Sequence, residues 1–78
     1  NITLTDASGP NDIGLFISAN AKNNNITQGL INNNDYGIYL SDGGSANKFS
    51  LLNISSNSNT GIIILNANTN NNLFYNNL

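Results

Sequence analysis

Two aspartates are the best candidates for acid–base chemistry in this sequence. Asp12 and Asp35 each lie two positions before a glycine that recurs along the chain, and Asn59 takes the same place before the next such glycine. If these segments stack as neighbouring strands, the two carboxylates lie about 5 Å apart, near the separation found in retaining glycosidases. An aspartate before a glycine is also typical of a turn, in which the carboxylate accepts a backbone N–H. The turn interpretation is the one we adopt, so we predict no catalytic residues and no enzymatic activity.

The same two aspartates and Asn59 supply too few oxygens for Ca²⁺, which takes six to eight oxygen ligands. Copper delivery needs Cys, Met or His ligands, and the chain has no Cys, no Met and no His. The sequence therefore predicts no metal site and no cofactor.

Aromatic residues supply a second candidate site. Phe16, Tyr39 and Ile63 occupy one position in three recurring segments and are expected to form a column on the outside of the fold. Aromatic rings on an exposed face can stack against sugar rings, and a neighbouring chain is an alternative cover for the same rings. Together with Asp12 and Asp35, the rings of Phe16 and Tyr39 form a candidate carbohydrate-binding face.

Three acceptor sequons for N-glycosylation also occur. They begin at Asn1, Asn25 and Asn53, each followed by Ile and then by Thr or Ser. Because successive side chains of a strand alternate between its faces, an inward Ile places the preceding Asn outward. Asn1, Asn25 and Asn53 are therefore glycosylation candidates in a host that glycosylates exported proteins.

Composition excludes two other classes of protein. Among 78 residues there are two Lys and no Arg, against four Asp, giving a net charge of −2. Nucleic-acid binding needs clustered basic residues, so none is predicted. The longest aliphatic run, residues 62–65, is far shorter than a membrane span.

The chain is an internal repeat. Glycines at 14, 37 and 61 lie 23 and then 24 residues apart, and each begins a segment in which aliphatic residues alternate with another residue. Eight residues then separate the last aliphatic residue from the next apolar position. This spacing predicts four interior columns: Ile2, Ile26, Phe49 and Leu73; Ala7, Ile31, Ile54 and Leu78; Leu15, Ile38 and Ile62; and Ile17, Leu40 and Ile64.

Short apolar clusters bounded by Gly, Asn, Ser and Asp are typical of strands and turns. A period of 23–24 residues with two or three strands per copy predicts an all-β parallel β-helix, or β-solenoid, whose rungs stack about 4.8 Å apart. We predict one domain spanning residues 1–78, with about three and a quarter rungs and no caps. Its rungs are 1–24, 25–47 and 48–71, with a partial rung at 72–78.

Asparagine makes up 20 of the 78 residues and follows the repeat. Asparagine tolerates left-handed backbone, and its amide can pair with the equivalent amide of the next rung. We therefore predict structural asparagine ladders that contain Asn24, Asn47 and Asn71 in one column, and Asn34 and Asn57 in another.

The segment from Asn23 to Leu40 resembles the right-handed parallel β-helix repeats of NosD-like proteins, surface adhesin-like proteins and carbohydrate-active β-solenoids. The resemblance covers the whole chain and implies the right-handed coil, which spacing alone does not decide. It does not select a function, because the same repeat serves lyases, hydrolases, adhesins, phage spikes and assembly factors.

The sequence begins and ends in strand-like segments without a cap, so we expect a longer array or end-to-end pairing of copies. The expected partners are copies of the chain or further rungs, with glycans as a further candidate. We predict a secreted or cell-surface structural solenoid that forms a fibre, adhesin stalk or surface layer. The alternative is a carbohydrate-binding or carbohydrate-cleaving module of the same fold.

Overall fold

The prediction of an all-β fold is confirmed. The computed structural model describes residues 2–3, 7–8 and 13–78, with side chains from residue 13 onward. Within these residues every regular element is a strand, and none of them forms a helix long and apolar enough to cross a membrane. The strands are β1 (Ile2–Thr3), β2 (Ala7–Ser8), β3 (Ile13–Ile17), β4 (Asn25–Asn32), β5 (Tyr36–Leu40), β6 (Lys48–Ser55), β7 (Thr60–Ile64) and β8 (Leu73–Tyr75).

The strands form two sheets, and every pairing is parallel. The larger sheet has the order β1-β4-β6-β8, with β2 also paired to β4, and the smaller sheet has the order β3-β5-β7. The chain alternates between the sheets, and each strand pairs with the one a repeat earlier. Equivalent positions of successive repeats therefore lie directly beside one another.

The apolar residues of the repeat meet in one core. In the smaller sheet, Leu15 pairs with Ile38 and Ile38 pairs with Ile62, in the register that the spacing predicts. Isoleucine and phenylalanine suit these positions because branched and aromatic side chains pack well on a pleated surface. The buried core consists of Ile17, Ile26, Ile31, Ile38, Leu40, Phe49 and Leu52.

The predicted register is wrong by one residue in the partial rung at residues 72–78. Phe74, rather than Leu73, pairs with Phe49, and the two rings stack with centroids 4.5 Å apart. Leu73 instead pairs with Lys48 and is 49% exposed. The offset between paired residues is 24 at Leu40 and Ile64 but 25 at Lys48 and Leu73. The turn at residues 66–69 therefore holds one extra residue. The sequence did not reveal it, because Leu73 and Phe74 are adjacent apolar residues and either one could occupy the interior position.

The same shift displaces Leu78 from the predicted second column. Its N–H donates to the Leu52 carbonyl, and its own carbonyl accepts from Ile54 N–H. In a parallel pair this pattern places Leu78 opposite Asn53 rather than Ile54. Leu78 is 86% exposed, so the buried part of that column ends before it.

The corners of the repeat use left-handed backbone at regular positions. Such a conformation costs most residues about 1–2 kcal/mol, but Asn adopts it more readily. Successive corner residues of one column lie 23 to 25 residues apart, which is the period of the strands. The columns with positive φ are Ala19, Asp42 and Asn66; Asn20 and Gly43; Asn23, Ala46 and Asn71; Gln28, Leu51 and Asn76; and Asn33 and Ser56.

Candidate functional site

The last repeat keeps the apolar pattern of the middle repeat but leaves it uncovered. Ile38 and Leu40 in β5 are fully buried, whereas the equivalent Ile62 and Ile64 in β7 are 37% and 47% exposed. Leu65, directly after β7, is 39% exposed. We call the side of β7 that faces away from β5 the open edge.

The backbone of the open edge is oriented for a further strand. Ser41 N–H donates to the Ile17 carbonyl at 3.0 Å, and Leu65 N–H donates to the Leu40 carbonyl at 2.9 Å. In a parallel strand, alternate residues face opposite neighbours. Because Leu65 faces β5, the backbone groups of Ile62 and Ile64 face the open edge.

An asparagine ladder links three repeats directly before the strands β4, β6 and β8 of the larger sheet. The Asn47 Oδ1 accepts from both the backbone N–H and the Nδ2 of Asn24, each at 2.9 Å. The Asn72 Oδ1 accepts in the same way from Asn47, at 3.0 and 3.2 Å. Each Nδ2 also donates to a carbonyl of the preceding repeat, on Ala21 for Asn47 and on Gly44 for Asn72. The ladder is therefore directional, because the Oδ1 atoms of Asn47 and Asn72 each accept from the repeat before their own.

The predicted third member of this ladder, Asn71, is wrong, and Asn72 takes its place. Asn71 is an exposed corner residue with φ of 57°, and its Nδ2 donates to Asn70 Oδ1. The physical reason is the extra residue in the preceding turn, which moves the ladder position from Asn71 to Asn72.

A second ladder joins Asn34 and Asn57. The Asn57 Oδ1 accepts from the Asn34 backbone N–H at 3.1 Å and from its Nδ2 at 3.4 Å. The Asn57 Nδ2 donates to the Ile31 carbonyl at 3.2 Å. This is the same arrangement as in the first ladder.

Asn77 is a capping residue that the sequence did not indicate. Its Oδ1 accepts from Leu52 N–H at 3.0 Å, and its Nδ2 donates to the Phe49 carbonyl at 3.1 Å. It follows the corner residue Asn76, just as Asn72 follows Asn71. The signal that could have identified both residues is the Asn-Asn pair, in which the first residue makes the corner and the second caps the preceding repeat.

Three aromatic rings cluster on the outside of the smaller sheet. Phe16 and Tyr39 meet edge to face with centroids 5.4 Å apart, and Tyr36 meets Tyr39 in the same way at 5.5 Å. Phe16 is 56% exposed, and the Tyr36 hydroxyl accepts from Asn59 Nδ2 at 3.3 Å. The candidate carbohydrate face thus has one exposed ring, that of Phe16, and polar groups at one side, the Tyr36 hydroxyl and the Asn59 amide.

The carboxylate pair cannot be assembled from the described residues, because Asp12 lies outside them. Asp35 is exposed, and its Oδ1 accepts from the Ser58 hydroxyl at 2.9 Å. Its backbone carbonyl accepts from the N–H groups of Asn59 and Thr60. Asp35 therefore supports a turn between repeats. Within residues 13–78 no group of three or more acidic, Cys or His residues comes together, and no enclosed pocket forms.

The sequon residues differ in their surroundings. Asn1 lies outside the described residues. Asn25 is half-buried with a buried Oδ1, in a column shared with Lys48. Asn53 is half-buried and pairs with Leu30 in the larger sheet.

Comparison with known proteins gives no match to a protein family, to a characterised protein or to a solved structure.

Proposed function

We propose that this chain is a structural β-solenoid of a secreted or cell-surface assembly, in which repeats stacked end to end build a fibre, an adhesin stalk or a surface layer. The observation that carries the proposal is the pair of asparagine ladders, because they connect successive repeats through side chains as well as backbone. In this proposal the two parallel sheets are two faces of one coil, and each repeat is one turn of it.

The ladders suit a protein that must resist a pulling force along the stack of repeats. Asn47 is fully buried and takes part in bonds both to Asn24 and to Asn72. Hydrogen bonds in low-dielectric surroundings strengthen one another when they form chains. A pull along the stack would therefore have to break these bonds together with the backbone ladder.

The low charge suits stacking as well. Equivalent positions of a stack lie about 4.8 Å apart, where like charges repel. In the outward column of Asn25, Lys48 and Leu73 only one residue is charged. The chain carries six charged side chains in all, so few such clashes arise.

Electron microscopy at neutral pH and moderate salt tests this proposal. We expect ordered fibres with an axial repeat near a multiple of 4.8 Å. Discrete particles of uniform size would contradict assembly by this chain alone. The matched variant is Asn47→Ala, which should form fewer or shorter fibres than the unmodified chain. Asn68→Ala, an exposed change outside the ladders, is the control and should form fibres normally.

Carbohydrate binding is the second candidate function, favoured by the exposed Phe16 ring and its neighbours Tyr39 and Tyr36. A glycan array with the unmodified chain is the first test, and Phe16→Ala should abolish any binding seen. Leu65→Ala is the control because it removes an exposed apolar side chain elsewhere. Unchanged binding by Phe16→Ala would contradict this site.

The double variant Asp12→Asn with Asp35→Asn separates the two functions. It should leave assembly intact under the structural proposal and remove sugar binding or cleavage under the alternative. Binding or cleavage that survives the double substitution would exclude these carboxylates from it.

Glycosylation is a further part of the proposal, with Asn53 as the preferred described acceptor because the Oδ1 of Asn25 is buried. Intact mass after expression in a glycosylating host tests it. Ser55→Ala should remove the glycan at Asn53, and an unchanged mass would show that Asn53 carries none.

A further inference from the structure

Asn23 and Asn33 are exposed corner residues, and each is followed directly by a ladder asparagine. The side chain of an asparagine can be attacked by the backbone nitrogen of the next residue. A bond forms between that nitrogen and Cγ, and the side-chain nitrogen leaves as ammonia with the proton that the backbone nitrogen gives up. Water then opens the resulting succinimide ring at either carbonyl, which leaves aspartate or isoaspartate. The attacking nitrogen is that of Asn24 for Asn23 and that of Asn34 for Asn33.

Both attacking nitrogens are held by the repeat that follows. Asn24 N–H donates to Asn47 Oδ1 at 2.9 Å, and Asn34 N–H donates to Asn57 Oδ1 at 3.1 Å. Attack requires the nitrogen to lose its proton and to turn towards Cγ of the preceding residue. Either change breaks this hydrogen bond, and a deprotonated nitrogen would face the partial negative charge of the amide oxygen. The ladder oxygen of one repeat therefore opposes ring closure at a corner of the repeat before it.

The side chains of Asn23 and Asn33 have no comparable protection from burial. Both residues are exposed, so water reaches their side-chain amides. Their left-handed backbone, with φ of 60° at each, is the conformation that the corner needs. The hydrogen bond on the attacking nitrogen is therefore the contact with the next repeat that separates these two asparagines from their reaction.

The ladder residues are held in the same way. No asparagine in the chain precedes glycine, whose small size would leave the attacking nitrogen most accessible, and Asn57 alone precedes serine. Ser58 N–H, the attacking group for Asn57, donates to the Asn34 carbonyl at 2.8 Å. In the first ladder Lys48 N–H donates to the Asn24 carbonyl, also at 2.8 Å. Each of these ladder steps therefore engages two attacking nitrogens, one in each repeat.

We propose that Asn23 and Asn33 are latent deamidation sites, kept unreactive by Asn47 and Asn57 respectively. Separation of two repeats releases the attacking nitrogen and lets the corner convert to aspartate or isoaspartate. Isoaspartate adds a backbone atom to the corner, so a converted corner no longer matches the register of the stack. The bonds in question join repeats inside the described part of the chain, and the proposal holds whether or not the chain forms fibres.

Site-resolved deamidation rates test the proposal. The folded chain is incubated at mildly alkaline pH, where loss of the backbone proton is easier, and the products are located by peptide mapping with mass spectrometry. Asn57→Ala should raise the rate at Asn33 at least about fivefold, the rate equivalent of one hydrogen bond, and leave Asn23 unchanged. Asn47→Ala should do the reverse.

This reciprocal pattern distinguishes a local hydrogen bond from general loosening of the fold. Both substitutions lower stability, and a chain that opens more often would react faster at both corners. In urea that unfolds the chain, each variant should react like the unmodified chain at Asn23 and Asn33, because the substituted residue lies 24 positions away in sequence. Asn68→Ala, an exposed change outside the ladders, should leave both rates unchanged in the folded chain.

Two results would overturn the proposal. One is an equal rise at both corners in each variant, and the other is an unchanged rate at the matched corner of a variant that stays folded. If Asn47→Ala does not fold, Asn57→Ala decides the question, because Asn57 is only half-buried. Absence of fibres in the microscope, with the reciprocal pattern intact, would refute only the proposed assembly.

Discussion

The middle and last repeats carry the same residue pattern in two different surroundings. Ile38 and Leu40 of the middle repeat are completely buried, while Ile62 and Ile64 of the last repeat are 37% and 47% exposed. Among the described strands β5 pairs with both β3 and β7, whereas β7 pairs only with β5. The difference shows that the burial of a residue in this fold depends on the repeat that follows it, as expected when each repeat contacts only its neighbours.

The largest expected contrast is between two phenylalanines that stack on each other. Phe49→Ala should lower the free energy of unfolding by about 3–5 kcal/mol, because it leaves a cavity in the core. Phe74→Ala should cost about half as much, since Phe74 is only half-buried. Chemical denaturation of both variants measures this, and equal losses would show that the partial rung at residues 72–78 is as well packed as the repeat before it.

The glycines give the next contrast. Gly37→Ala should lower the free energy of unfolding by about 1–3 kcal/mol, because its Cβ would overlap the Gly61 carbonyl. Gly61→Ala should change it by less than about 0.5 kcal/mol, as exposed substitutions usually do. Thermal melts of the two variants, side by side, test this. A large loss from Gly61→Ala would mean that a strand already covers β7.

The ladder asparagines should differ by a smaller amount. Asn47→Ala removes the buried Oδ1 that accepts from Asn24 and the Nδ2 that donates to the Ala21 carbonyl. This change should lower the free energy of unfolding by about 2 kcal/mol. Asn72→Ala removes the same kinds of bond at a half-exposed site, where water can replace them, and should cost about 1 kcal/mol. Urea unfolding of both variants measures the two losses in free energy of unfolding. Equal costs would show that burial does not strengthen the ladder.

The smallest expected effect is a gain. Leu51 is a corner residue with φ of 56° and is 59% exposed, while its counterpart in the partial rung at residues 72–78 is Asn76. Leu51→Asn should raise the free energy of unfolding by about 1 kcal/mol, because asparagine tolerates left-handed backbone. Leu65→Asn, at an exposed site whose φ is not positive, is the control. A lower free energy of unfolding for Leu51→Asn would show that contacts of the Leu51 side chain stabilise the fold.

The sequence predicted the strands, and it predicted the register wherever a recurring glycine marks the start of the apolar segment. The pairs Leu15 with Ile38 and Ile38 with Ile62 followed from the recurring glycine, because a strand shows its period in two or three residues. The register failed at Leu73 because the turn before it holds one extra residue. A turn of polar residues carries no periodic signal, so its length could not be read from the pattern.

The candidate site was less predictable than the fold. The asparagine ladders were expected from composition, but the choice between Asn71 and Asn72 depends on which residue makes the corner. The role of Gly61 could not be seen in the sequence, because it depends on distances to a neighbouring strand. The three glycines look identical in sequence, and only the structure separates them.

Amide hydrogen exchange of the free chain, at a concentration where sedimentation shows a monomer, tests the central claim most directly. The comparison is between Ile38 and Leu40 in β5 and Ile62 and Ile64 in β7. We predict strong protection of the first pair, whose N–H groups face β7, and exchange of the second pair near the rate of an unfolded chain. Equal protection of the two pairs would contradict the claim that the burial of a residue in this fold depends on the strand that lies over it.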